Sequence, residues 1–438
     1  MPDAPAPSRS RPTAAPRARI SAGLILLLSA LTAVGPLTFD TYLAAFPQIA
    51  ADLDATPATV QLTLTASLAG LALGQVLIGS LSDTFGRRRP LLGGLAVYVV
   101  TSAALMVADS MAVFTALRLV QGFSAAAGMV LSMAILRDSF DGIAVSKAMA
   151  RLMLVVGVAP VLAPTLGAQL LRVGSWRTIF GFLTVAGVLL VVLAAVRLRE
   201  TLPVERRRTG GTAAALRTYR ELITDRGFLG LALLSATYMG ALFTYVSGST
   251  FVFQDGFGLD AQQFGYVFAG GAVAITIASQ VYGAAVGRFR PEQMLTVAVA
   301  AGVVLSLALL AVTLAGGGLV PVLVLLVLTL STVGLVMPSA PAIALNANPH
   351  RAGSAAALLG ALQFGAGAAI APITGLIGGD PATAMATVMA VCILTSAVLL
   401  VGVSRGWRRA SGRAPAAASD VTPAERAPAA VTEPAPAS

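Results

Sequence analysis

Asp40, in LTFDTYLAAFP, and Arg118, in FTALRLVQG, are the two ionisable side chains that sit well inside long apolar runs of the sequence. On insertion scales an Asp or Arg at the centre of a membrane helix costs about 2.5–3.5 kcal/mol, so such residues mark function. A carboxyl taken out of water holds its proton more tightly, and a nearby arginine makes it let go. Motion that changes the separation of the two could load or release a proton. Gln121 follows Arg118 by one helical turn and can join them. Other chemistries have little to work with: there is one cysteine, Cys392, and one histidine, His350, so no internal disulfide and no thiolate or imidazole metal centre is expected.

These residues need elements that hold them in an apolar medium. The chain has 438 residues, 57% of them hydrophobic and only 11% charged, with a mean hydropathy of +0.85. Globular domains carry about 25% charged residues, so a soluble protein of this composition would lack the polar surface to face water. The net charge of +10 would point to nucleic acid in a soluble chain, but no nucleic-acid fold signature accompanies it. A span needs roughly 20 apolar residues to cross about 30 Å of hydrocarbon. Twelve runs qualify, near 20–47, 58–82, 90–108, 111–136, 148–171, 176–196, 227–253, 262–286, 293–314, 319–345, 352–378 and 382–404. Helices are expected, because in lipid each backbone group must bond within its own segment.

All but three of the 29 basic residues fall in segments that share one side when the N-terminus is inside; Arg118, Arg172 and Arg177 are the exceptions. Both termini are therefore expected in the cytoplasm. The polar stretch 197–226, with ERRRTGG, divides the runs six and six. Residues 1–19 and 405–438, rich in Pro, Ala and Ser, read as disordered cytoplasmic tails around an N-terminal bundle (20–196) and a C-terminal bundle (227–404). The halves echo each other: GRRRP at 86–90 returns as GRFRP at 287–291, each between the second and third run of its half. Paired repeats with a site between them are the plan of secondary transporters. At about 1.5 Å per residue, Asp40 lies roughly 30 Å along the first run and Arg118 roughly 10 Å from the outer end of the fourth. Both then fall in the outer half of the membrane, within reach of each other directly or through Gln121 and water.

The loop GSLSDTFGRRR, with Gly79, Asp83, Gly86, Arg87 and Arg88, resembles the cytoplasmic loop motif of the major facilitator superfamily, and it lies where that family has it. Physically, Gly79 would let helices approach closely. Asp83, at a helix C-terminus where the dipole disfavours an acid, calls for a partner, either a loop arginine or another helix N-terminus. In the family this cluster latches the cytoplasmic side. GRFRP has Ala284 at the position of the Asp, so a second latch would be weaker. Arg118-x-x-Gln121-Gly122 resembles the family's fourth-span motif. Gly157-x-x-Pro160-x-x-x-Pro164-x-x-Gly167 is similar to the fifth-span motif of drug:proton antiporters of the Bcr/CflA type, with Ala159 where Gly is usual. Asp40-x-Tyr42-Leu43 and Trp176-Arg177 fit the same group, although Ala44 replaces a Pro.

The expected fold is thus an all-α integral membrane protein of twelve transmembrane helices, two six-helix pseudo-repeats around a central cavity. The resemblance implies proton-coupled export of drugs or other apolar or weakly polar molecules across a bacterial cytoplasmic membrane, driven by the proton gradient with no cofactor and no enzymatic step. A carrier for one endogenous metabolite is the alternative, and a non-transporting sensor a remoter one. Protons, a small-molecule substrate and lipid are the expected partners of a monomer; nucleic acid is not. Pro36, Pro160 and Pro164 should bend their helices. Phe39, Tyr42, Tyr238, Tyr245, Gln280 and Gln363 are candidate substrate contacts.

Overall fold

The computed structural model describes residues 22–140, 143–207 and 211–411; the expected tail 1–19 and residues 412–438 of the other lie outside it. The chain is all-helical, with no β-strand among the described residues. The first half contains α1 (Ala22–Asp40), α2 (Phe46–Asp52), α3 (Pro57–Phe85), α4 (Arg88–Leu105), α5 (Met111–Ser139), α6 (Ile143–Val173) and α7 (Trp176–Arg197). After the linker helix α8 (Gly211–Thr224) come α9 (Arg226–Thr250), α10 (Ala261–Ala285), α11 (Pro291–Leu314), α12 (Leu319–Asn346), α13 (Ala352–Ile370), α14 (Ile373–Ile377) and α15 (Pro381–Ser411). Helix starts follow local chemistry. Thr56 caps α3 ahead of Pro57, Asp225 caps α9, and Asp260 with Gln263 forms a capping box on α10, each supplying an oxygen to otherwise unpaired N–H groups.

Ten helical stretches among the described residues are long and apolar enough to cross a membrane. Of the expected spans the third does not qualify, and the fifth is represented among the described residues by only part of α6. Helix α4 has 18 residues and opens on Arg88 and Arg89, and in α6 only Val158–Val173 stands as a shorter apolar helix. Helix α15 runs to Ser411, into the stretch expected to be a tail. The stretch expected to be a plain polar linker holds α8, whose Leu222 is fully buried.

The pairing of helices repeats. In the first half α3 and α4 pack on α5, α4 on α7, and α1 on α5 and α6; in the second α10 and α11 pack on α12, α11 on α15, and α9 on α12 and α13. The seam between halves is made by α3 against α13 and by α6 against α10, which the same correspondence interchanges. Gly86 and Gly287, equivalent in the sequence echo, both adopt positive φ, +88° and +94°.

The first span is not the continuous helix expected, bent only at Pro36. It breaks directly after Asp40: Thr41 and Tyr42 form a turn, Leu43–Ala45 a 3-10 turn, and α2 resumes at Phe46. Pro47 explains the break, since it has no N–H for the Leu43 carbonyl four residues earlier and its ring would strike that carbonyl in an α-helix. The seventh expected span is irregular near its end, where α9 passes into a π turn, Phe251–Gly256. Local π geometry of this kind concentrates at functional sites.

Candidate functional site

Arg118 is wholly buried on α5. Its Nη1 donates to Gln121 Oε1 at 2.5 Å and its Nη2 to the Thr38 carbonyl at 3.2 Å. The guanidinium lies 4.0 Å above the Tyr42 ring and 5.8 Å from that of Phe180. No carboxylate pairs with it among the described residues, and its Nε has no partner. The buried cation is therefore carried by π faces and by neutral oxygens. Gln121 spends its amide on Ser102 Oγ, 2.8 Å away. Tyr98 shares a 2.7 Å hydrogen bond with Thr38, and Tyr42 one of 3.1 Å with Thr63. A closed polar net thus joins α1, α3, α4 and α5.

Asp40 sits in the middle of this net and takes no part in it. It is 7% exposed, and no hydrogen bond or ion pair reaches its carboxylate among the described residues. The expected direct contact with Arg118 is not made here, and Gln121 does not bridge the two. The reason is geometric. Arg118 grips the backbone at Thr38 and the ring of Tyr42, two residues before and two after Asp40, so it fixes the break rather than the carboxylate. Beside Asp40, Thr41 Oγ1 is also buried without a partner. The fifth-span motif meets the same point. A Cβ on Gly167 would collide with the Thr41 carbonyl, just as one on Gly122 of the fourth-span motif would collide with that of Ser67. Both glycines let helix backbones touch. Pro160 and Pro164 lie inside α6, as does Gly157.

The remaining expected contacts are dispersed. Phe39 is buried. Tyr42 is covered by Arg118, so it serves that cation. Tyr238 donates to the Ala298 carbonyl at 3.5 Å and lies 3.2 Å from Thr332 Oγ1, inside the second half. Gln280 is exposed on α10 and Gln363 half-buried on α13. Tyr245, fully buried, stacks on Phe268 with centroids 5.1 Å apart.

Side-chain hydrogen bonds between the halves cluster at the end away from the linker. The Leu43 carbonyl, which takes the Phe46 N–H in the 3-10 turn, also accepts from Thr250 Oγ1 at 3.2 Å. Gln254 donates to Ala44 at 3.3 Å, Thr165 to Gly265 at 3.4 Å, Gln262 to Ala168 at 3.2 Å, and Thr374 to Gln61 at 3.2 Å. Nearby, Trp176 Nε1 donates to Asp52 at 2.8 Å, and Arg177 pairs with the same acid at 3.5 Å.

At the linker end, Arg87 pairs with Asp83 at 2.6 Å and Asp138 at 2.9 Å. Asp83 thus finds its partner in its own loop. Burial acts to lower the Arg87 pKa, but the hydrogen bonds and charges of Asp138 and Asp83 outweigh it and hold the guanidinium above its ordinary value. Glu200 accepts the backbone N–H of Arg87 at 2.8 Å and of Arg88 at 3.2 Å. Arg88 Nε in turn donates to the Leu198 carbonyl at 2.9 Å. Burial acts to raise the Glu200 pKa, yet these amides and the Arg207 charge bring it below the usual carboxylate range. Asp138 and Glu200 escaped the sequence reading, although each is an acid placed just past an apolar run, where a loop arginine can reach it. Gly79 does not force a close approach in this structure, because a Cβ there would meet Val130 at an ordinary 3.7 Å.

Residues 28–372 match the profile of the Major Facilitator Superfamily. The chain is 38% identical over 384 residues to the Uncharacterized MFS-type transporter YdgK of Bacillus subtilis, covering 87% of this chain and 95% of that one. It is 32% identical over 372 residues to a Bicyclomycin resistance protein homolog of Haemophilus influenzae, covering 85% and 94%. In fold it is similar to a bacterial homolog of the human lysosomal transporter Spinster in an inward-facing conformation, with a TM-score of 0.65, 15% identity and coverage of 89% and 96%.

Proposed function

The chain belongs to the Major Facilitator Superfamily, and within it we propose a proton-coupled exporter of drug-like or weakly polar small molecules, of the Bcr/CflA type. As a member of that family it is a multi-pass transporter of the bacterial cytoplasmic membrane and not an enzyme. The observation that carries the proposal is Asp40: a nearly buried carboxylate at a helix break, with no donor or cation bound to it among the described residues. An acid left unpaired in an apolar site is poised to take up a proton. The bicyclomycin resistance named for one relative supports efflux as the direction.

On this reading twelve helices span the bilayer and both termini are cytoplasmic, with α4, which opens on two arginines, held in by its neighbours. The bonds from Thr250 of α9 and Gln254 of the π turn after it to the Leu43 and Ala44 carbonyls then close the outer face. Substrate enters from the cytoplasmic side between the halves. Substrate and proton compete for the cavity around Asp40, and the seam of α3 with α13 and α6 with α10 is where the halves rock. The arginine loop, tied to Asp83, Asp138 and Glu200, acts as the cytoplasmic latch. The energy comes from the proton gradient, with no cofactor.

The test uses inverted membrane vesicles with an acid interior and a panel of antibiotics and dyes. Compound-dependent collapse of the pH gradient is expected. A gradient that no compound disturbs, with folded protein present, would move the assignment to a carrier for one endogenous metabolite.

A further inference from the structure

Six buried aromatic side chains form one connected group around the break in the first span: Tyr42, Phe46, Phe114, Trp176 and Phe180 of the first half, and Phe251 of the second. Phe114 lies 5.4 Å from Trp176 and 5.5 Å from Phe180, ring centre to ring centre, and Phe180 lies 6.1 Å from Tyr42. Tyr42 meets Phe46 edge to face at 5.0 Å. Phe46 then meets Phe251, the first residue of the π turn, at 5.9 Å. Among the described residues this is the one ring contact that crosses between the halves. It sits beside the Leu43 and Ala44 carbonyls, which accept from Thr250 and Gln254 on either side of Phe251. An apolar pair therefore backs two polar bonds at the same point of the seam. The other end of this row of rings is Arg118, 4.0 Å above the face of Tyr42.

We propose that Arg118 is a positioning residue for the outer seal: through the ring of Tyr42 it holds the helix break so that Phe46 closes on Phe251, and weakening that cation–ring contact lets the halves part there. This rests on the exporter reading only for the side on which substrate leaves. A side chain that merely filled space here could be apolar, whereas a buried cation is costly, so the charge itself is in use. Its other partners lead back into the first half, Gln121 to Ser102 and the Thr38 residue to Tyr98. Only the face of Tyr42 leads on to the second half. A cation over such a face is attracted most strongly where water is excluded, as it is here. Arg118 thus grips the chain at Thr38 before the break and at Tyr42 within it. Trp176 holds the far side of α2, its backbone N–H and Nε1 donating to Gln48 and Asp52. Phe46 stands between these two holds.

The test measures distances between spin labels at Ala51 and Asp255, exposed positions on α2 and on the π turn, in the full-length protein in lipid nanodiscs without substrate. Position 42 is filled in turn with phenylalanine and with its mono-, di- and trifluorinated forms. Fluorine strips negative charge from the ring face and barely changes its shape, so a purely structural role of the ring would leave the distances unmoved. The ratio of long to short distances should rise with each fluorine, by about fivefold over the series. Phe251→Ala, which removes the ring that Phe46 closes on, should raise it as well. A ratio that stays constant along the fluorine series overturns the proposal, and so does a wild-type distribution in Phe251→Ala. The distances are read without transport, so they judge the link from Arg118 to the seal, whereas a silent vesicle assay judges the exporter reading.

Discussion

Arg118 and Asp40 are both buried on neighbouring helices, yet one is held by several partners and the other, among the described residues, by none. Arg118 never loses its charge, so its site must satisfy a permanent cation, and Gln121, the Thr38 carbonyl and the Tyr42 ring do so. Arg118→Lys keeps the charge but loses the planar fork that meets these groups together. Transport should fall at least tenfold with the protein still inserted, as checked by vesicle uptake against expression level. The sequence made both residues legible because a charge in an apolar run is conspicuous. It could not show that they would miss each other, since that depends on the helix break at Thr41–Ala45. Nor could it show Thr38, Tyr98 and Ser102 as partners, because small polar residues are common in membrane helices and carry no signature of their own.

At the scale of elements, proline and glycine place the site. Pro47 breaks the first span, and the Leu43 carbonyl, bonded there to the Phe46 N–H, also accepts from Thr250 of α9. Thr250→Val removes that bond at nearly constant volume. With a net value of about 1 kcal/mol, the closed arrangement at the end away from the linker should lose roughly fivefold in population, read as broadened distances between spin labels there. Cys392, the one cysteine, is buried and will not compete for label. Gly167→Ala would push α6 off the Thr41 carbonyl and should destabilise the fold by about 1–3 kcal/mol, whereas Gly79→Ala should leave thermal stability unchanged. The sequence motif singled out both glycines, and only the packing distinguishes the one that touches backbone. Pro338 and Pro341 inside α12 drew no notice in the sequence, because no motif surrounds them.

For the molecule as a whole, an all-helical chain of long apolar spans was legible from hydropathy, and the GRRRP–GRFRP echo pointed to the repeated pairing of helices. Which helix packs on which was not, because contacts between distant segments leave no local pattern. Ten of the twelve expected runs stand as spans among the described residues; the third, α4, opens on two arginines that dilute its apolar run. The linker end also makes a pH prediction. Glu200 has a lowered pKa, so the stability it contributes is complete above the ordinary carboxylate range and is lost as pH falls through its lowered value. Thermal unfolding of the wild type should therefore drop on the acid side, and Glu200→Gln should be less stable at neutral pH and show a flatter acid slope.

The central claim is that Asp40 is the group that exchanges proton for substrate. It is tested most directly by repeating the vesicle measurement with Asp40→Asn, matched to wild type for amount and folding. Loss of compound-dependent proton release, with compound binding retained, is the predicted result. Proton release that survives the substitution at the wild-type rate would contradict the claim and return Asp40 to a structural role at the break in the first span.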